Sequence, residues 1–148
     1  MMNLANLKIR DFEIEEYDIL IELWEKAGLP YRPLGRDSKV NISKQIEQPN
    51  ISFLFVEIED KVIGSIVISH DGRKGWINRA AILPEYRNLG IASYLIENAE
   101  KRLNKIGIKI IACLIEDWNL KSLKLFDKLG YIRHPDIIYF TKRESAEV

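Results

Sequence analysis

Cysteine is almost missing from this chain. The single Cys113 excludes an internal disulfide, and no Cys/His cluster has the spacing of a zinc site. No window approaches 18 uninterrupted apolar residues, and Lys8, Arg10 and Asp11 interrupt the N-terminus before a signal-peptide core is reached. A cytoplasmic protein without membrane contact or structural metal is therefore expected. Net charge is also lacking: 22 basic and 22 acidic side chains cancel, which removes the global attraction that non-specific nucleic-acid binding depends on. Gly/Ser linkers, repeats and low-complexity blocks are absent, so a single domain over residues 1–148 is expected. With 47% hydrophobic residues, a chain of 148 can withdraw roughly 70% of its unfolded surface from water and needs no staple to form a core. Any anionic ligand has to be held by a local device.

Periodicity supplies the elements. Residues 7–10 read as a short strand, and over residues 14–27 Ile14, Tyr17, Leu20, Ile21 and Trp24 recur at three- and four-residue steps, one face of a helix stopped by Gly28. Residues 29–36 carry Pro30, Pro33 and Gly35 and form a loop bearing Tyr31 and Arg32, before Asp37 or Ser38 caps a second helix to about Gln48. Residues 51–58 and 61–69 make a hairpin around Glu59-Asp60, and residues 75–83 a third strand of the meander, closed by Pro84. A helix is expected over residues 90–106 and a strand buried on both faces over residues 108–115. A helix capped by Asn119 follows over residues 120–129, and a last strand over residues 137–141. The sum is an α/β (α+β) mixed sheet with helices on both faces. A strand at its C-terminal edge would permit a homodimer by strand addition.

The informative piece is Pro84-Glu85-Tyr86-Arg87-Asn88-Leu89-Gly90-Ile91-Ala92, because it joins a buried strand directly to a long helix. A helix N-terminus leaves backbone N–H groups unpartnered and carries about half a positive charge, so it takes phosphate when the loop turns its amides inward. Gly90 and Ala92 keep side chains out of the way, and Arg87 can add charge. Plain capping uses the same glycine. The segment is neither a Walker motif, since Gly-Lys-Ser/Thr is missing, nor a three-glycine dinucleotide fingerprint.

These residues carry a family resemblance. Arg87, Gly90 and Ala92 fit Arg/Gln-x-x-Gly-x-Gly/Ala, the pyrophosphate loop of the GCN5-related N-acetyltransferase (GNAT) family. Ala81-Ile82-Leu83-Pro84 is similar to that family's Ala-Val-x-Pro, and the run from Asn119 through Ser122, Leu125, Phe126 and Leu129 to Gly130-Tyr131 is similar to its last helix. The resemblance implies a fold whose fourth and fifth strands splay apart around acetyl-CoA. It implies that backbone groups of Ala81, Ile82 and Leu83 hold pantetheine and the thioester carbonyl, and that amides of Arg87, Asn88, Leu89, Gly90, Ile91 and Ala92 hold the pyrophosphate. Asn119 would reach pantetheine or a water, with Lys124, or its neighbours Lys121 and Lys128, at the outer phosphates. All three lysines also suit a solvated helix face.

The implied reaction is direct attack of a primary amine on the thioester. Cys113, in an apolar strand, is then a packing residue and not a nucleophile. Two departures matter: the tyrosine often used as general acid is Phe126 here, and a glutamate found on the fifth strand in some branches is Leu114. Tyr139 on the last strand, Glu116, Asp117 or a water held by Asn119 are the remaining proton carriers. At pH 7 a lysine amine costs about 4.6 kcal/mol to deprotonate and an α-amine about 1.4, so a chain without an evident base favours the latter. Tyr31 and Arg32, with Arg36 and Asp37, are candidates for choosing the acceptor, a small-molecule amine or a protein amine. The competing reading is a non-catalytic acyl-CoA sensor or interaction module.

Overall fold

The computed structural model describes residues 4–148. Its frame is a five-stranded sheet ordered β1 (Leu7–Asp11), β2 (Ile51–Ile58), β3 (Lys61–His70), β4 (Lys74–Ile82), β5 (Ile110–Ala112), antiparallel throughout except for the parallel β4–β5 pair. The helices are α1 (Tyr17–Ala27), entered through a 3₁₀ turn at Ile14–Glu16, α2 (Lys39–Ile46), α3 (Ile91–Lys105) and α4 (Leu120–Lys128). Glu59 and Asp60 both adopt positive φ, the mirror-image turn whose twist matches the β2–β3 hairpin.

β2 and β3 are buried on successive residues, Phe53 to Ile58 and Ile63 to Ile68, so both faces of the sheet are covered. Trp24, Leu20 and Leu23 of α1 and Ile91, Leu95, Ile96, Ala99 and Leu103 of α3 join these strands in one continuous core. The approach of α3 depends on Gly75: a Cβ there would lie 2.8 Å from Leu103 Cδ1.

β4 is bent by a bulge. Its register on β3 slips between the Ser65–Ala81 and Val67–Asn78 pairs, and Arg79 within the slip has φ of 52°. Pairing with β5 lasts only from Lys74–Ile110 to Trp76–Ala112. Beyond Trp76 the two chains part, as the splayed-strand expectation required.

Two sequence expectations fail. The apolar run at residues 108–115 yields a strand of only three residues, with Ile111, Cys113 and Ile115 against the core but Ile110 and Leu114 exposed at 51% and 53%. Continuous hydrophobicity suggests burial on two faces, yet this strand lies at the sheet edge. Residues 137–141 form no strand, although their residue types favour one, because a strand needs a neighbour for its ladder and this chain places none beside them.

Candidate active site

The turn between β4 and α3 starts with a 3₁₀ turn at Pro84–Tyr86, in which Tyr86 N donates to Leu83 O at 2.9 Å. Asn88 and Gly90 then take φ of 63° and 82°, and Gly90 caps the helix, its carbonyl accepting from Tyr94 N at 3.1 Å. Among the described residues no acceptor meets the amides of Asn88, Leu89, Gly90, Ile91, Ala92 or Ser93. Left-handed residues alternating with ordinary ones at a helix start turn successive N–H groups into one concavity, an anion nest. The donor-only set suits a diphosphate and repels a cation.

Arg87 serves the turn differently from the sequence expectation. Its Nε donates to Ile82 O at 3.2 Å and its Nη2 to Ala27 O at 2.8 Å, while its own amide donates to Pro84 O at 3.3 Å. The guanidinium thus ties the loop to the end of β4 and to the C-terminus of α1, where its charge suits the helix dipole. Among Ala81, Ile82 and Leu83 the ladder distinguishes one residue. Leu83 N donates to Ile63 O at 2.9 Å, so by alternation Ile82 turns its N–H and C=O away from β3, toward the split.

Across the split, Asn119 caps α4 with its Oδ1 accepting from Ser122 N at 3.3 Å, leaving its amide NH₂ as donor. Lys121, Lys124 and Lys128 are exposed on α4. Phe126 is buried, stacked edge-on against Tyr131 at 4.8 Å, and the Tyr131 hydroxyl donates to Glu100 at 2.7 Å. Burial first, then that carboxylate, push the Tyr131 pKa far up. Burial alone pushes the Cys113 thiol up to about 11. Tyr139 stands 65% exposed on the C-terminal segment and belongs to no strand.

The loop between α1 and α2 is held by Asp37, which the sequence offered as a helix cap or an acceptor-selecting group. Asp37, 5% exposed, accepts from Arg32 N at 2.7 Å and from Arg79 Nη2 at 2.9 Å, and its backbone carbonyl accepts from the Tyr17 hydroxyl at 2.7 Å. Arg79 also donates from Nη1 to Pro30 O at 3.1 Å and lies 4.6 Å from the centroid of Trp24. Desolvation lowers its pKa and Asp37 opposes that. The Trp24 indole donates to Ser65 Oγ at 3.1 Å. Sequence reasoning missed Arg79; its one signal was a cation inside an apolar strand. Tyr31 is half-buried and Arg32 exposed on this loop, which Arg79 ties to the β4 bulge.

A mixed sheet parted beside an amide-lined helix start offers backbone donors suited to an anionic group next to an open gap. The sequence profile of the Acetyltransferase (GNAT) family matches residues 9–131. The chain belongs to that family and is an acetyl-CoA-dependent N-acetyltransferase. It is 32% identical to an acetyltransferase of Photorhabdus laumondii over 138 residues, 93% of this chain and 95% of that one. Among solved structures it resembles the PaiA N-acetyltransferase of Thermoplasma acidophilum in complex with coenzyme A, at 23% identity and a TM-score of 0.75, covering 83% of this chain and 87% of that one. It also resembles AAC(6')-Iy bound to a bisubstrate analogue, at 17% identity and a TM-score of 0.76, covering 93% and 98%. Among the described residues no helix is long and apolar enough to cross a membrane.

Proposed function

We propose that this enzyme transfers the acetyl group to a primary amine by direct attack in a ternary complex, with no acyl-enzyme. The carrying observation is the run of unpartnered amides from Asn88 to Ala92 opening beside the point where β4 and β5 part. In this reading acetyl-CoA supplies an activated thioester: a C–N bond forms at the carbonyl carbon, the C–S bond breaks, the nitrogen loses a proton and the thiolate gains one. The amides from Asn88 to Ala92 grip the diphosphate. Ile82 N–H, turned toward the gap, orients the thioester carbonyl and stabilises charge that develops there.

Asn119 contributes an NH₂ donor from the facing wall, fixed in direction because its oxygen is already engaged in capping α4. Lys124 is available to the outer phosphates from the exposed face of α4. Tyr31 and Arg32 sit where a loop pinned by Asp37 and Arg79 can meet the acceptor. The Cys113 thiol, with its pKa near 11, is a poor nucleophile, which supports direct attack. Phe126 and the engaged Tyr131 hydroxyl leave proton transfer to Asn119-ordered water, to the exposed Glu116 or Asp117, or to Tyr139.

The test is steady-state release of free coenzyme A thiol against a panel of amino acids, polyamines, aminoglycosides and peptides with free α-amines. Amine-dependent turnover that survives Cys113→Ala is expected. Tight coenzyme binding with no amine raising the rate above hydrolysis would turn the assignment to an acyl-CoA sensor.

A further inference from the structure

We infer that Tyr131 and Glu100 are positioning residues for the coenzyme: their hydrogen bond fixes α4, and with it Asn119 and Lys124, relative to the amide nest that opens α3. The inference deepens the coenzyme site proposed above and rests on its reading of Asn119 and α4 as the facing wall of the split. That wall is lightly attached. β5 leads into it after only three residue pairs with β4, and Phe126 is the one buried side chain of α4. Among the described residues, a single hydrogen bond joins residues 114–133 to the rest of the chain. It runs from the Tyr131 hydroxyl to Glu100 Oε2 at 2.7 Å.

Both ends of this bond are rigid. α4 stops in a Schellman turn: Gly130, at φ of 89°, donates its N–H to Asp127 O at 3.1 Å, and Tyr131 N donates to Phe126 O at 3.0 Å. The Phe126 and Tyr131 rings meet edge-on at 4.8 Å, the apolar contact that accompanies such a turn. The phenol therefore moves with α4. Glu100 stands on α3, about 14 Å along the axis from Ile91 and the nest, and among the described residues its carboxylate has Tyr131 as its one partner. A hydrogen bond to an ionised acceptor is shorter and stronger than a neutral one, and this pair is half-buried. The coenzyme draws on both helices, its diphosphate on the α3 amides and its remaining length on Asn119 and Lys124. Contacts delivered from two elements lose affinity to ordering unless their spacing is fixed beforehand. The loop over residues 29–38 is tied to β4 through Arg79 instead, so the effect belongs to the coenzyme and not to the amine.

Tyr131→Phe keeps the ring against Phe126 and removes the hydroxyl. Calorimetric affinity for coenzyme A should fall about tenfold, the scale of one lost hydrogen bond to a carboxylate. KM for acetyl-CoA should rise by a similar factor, while kcat and KM for the best amine of the panel stay within about twofold. Glu100→Ala should reproduce the loss. Glu100→Gln still offers the phenol a carbonyl oxygen and should restore most of the affinity. The double variant Tyr131→Phe/Glu100→Ala should bind no more weakly than either single one, because the two remove the same bond. A pair that merely stabilised the fold would lower the melting temperature and leave the affinity of the folded enzyme unchanged. Asn119→Asp, which retains the capping oxygen and removes the NH₂ donor, tests the wall itself. Weaker coenzyme binding in Asn119→Asp with unaltered binding in Tyr131→Phe overturns the inference and leaves the coenzyme site standing. Unaltered binding in both overturns the two together, and additive losses in the double variant overturn the pairing.

Discussion

The two ends of the site are built from opposite materials. At the α3 end, residues 84–92 are mostly exposed and offer backbone: six amides lie open, and the one ordered guanidinium in the loop, Arg87, is spent on carbonyls of Ile82 and Ala27. At the other end, residues 29–38 are shaped by side chains, with Asp37 buried beneath Arg79, Arg32 N and the Tyr17 hydroxyl. A diphosphate is recognised by geometry that any sequence with the right φ angles can make. The loop over residues 29–38 is held by the Asp37–Arg79 ion pair and the Tyr17 hydroxyl, drawn from three separate segments. The first end can stay constant while the second changes, and only the first has a sequence signature.

The contrast can be broken most sharply at Gly90. Gly90→Asp places a carboxylate among the amides; a Cβ there meets nothing within 4 Å, so the fold should survive with only the cost of a non-glycine at φ 82°, about 1–2 kcal/mol. Coenzyme A affinity by calorimetry should fall about 100-fold or more, on the scale of two lost charge-assisted hydrogen bonds. The other end should respond to Arg79→Met, which leaves Asp37 buried without its guanidinium. Thermal unfolding should show about 3 kcal/mol of lost stability, and KM for the amine should rise about tenfold while KM for acetyl-CoA changes less than twofold. A change confined to acetyl-CoA would refute the division of labour.

Gly64→Ala tests the frame between the ends. Its Cβ would sit 2.8 Å from Ala81 O and 2.6 Å from Ile82 Cδ1, so about 1–3 kcal/mol should be lost in denaturant titration, with coenzyme affinity reduced because Ile82 is displaced. Smallest in effect is Cys113. With its thiol raised to about 11 from an ordinary 9, the thiolate fraction is depressed at every pH below that value and grows tenfold per unit as pH rises. Iodoacetamide labelling should therefore be slow at pH 8.5 and climb steadily to pH 11, and an early plateau near 9 would show an exposed, ordinary thiol.

The helix boundaries were legible residue by residue. Gly28, Ser38, Gly90 and Asn119 stand as the helix caps that their types suggested, because capping is a local contest between a side chain or a left-handed backbone and water. Arg87 was expected to add positive charge to the phosphate loop; where its guanidinium points was decided by carbonyls brought there by α1, sixty residues earlier in the chain. Arg79 was overlooked for the same reason, since its partners Asp37 and Pro30 lie more than forty residues away.

Order along the chain therefore determined the elements, the strand-loop-helix motif and the family, all of which depend on neighbours within a few residues. The tertiary structure alone decided that β5 keeps one face bare, that residues 137–140 lie unpaired, and that a buried carboxylate pins the loop over residues 29–38 to a bulged strand. Burial and pairing are properties of what packs alongside, and an apolar or charged residue carries no record of its neighbour until the chain has closed around it.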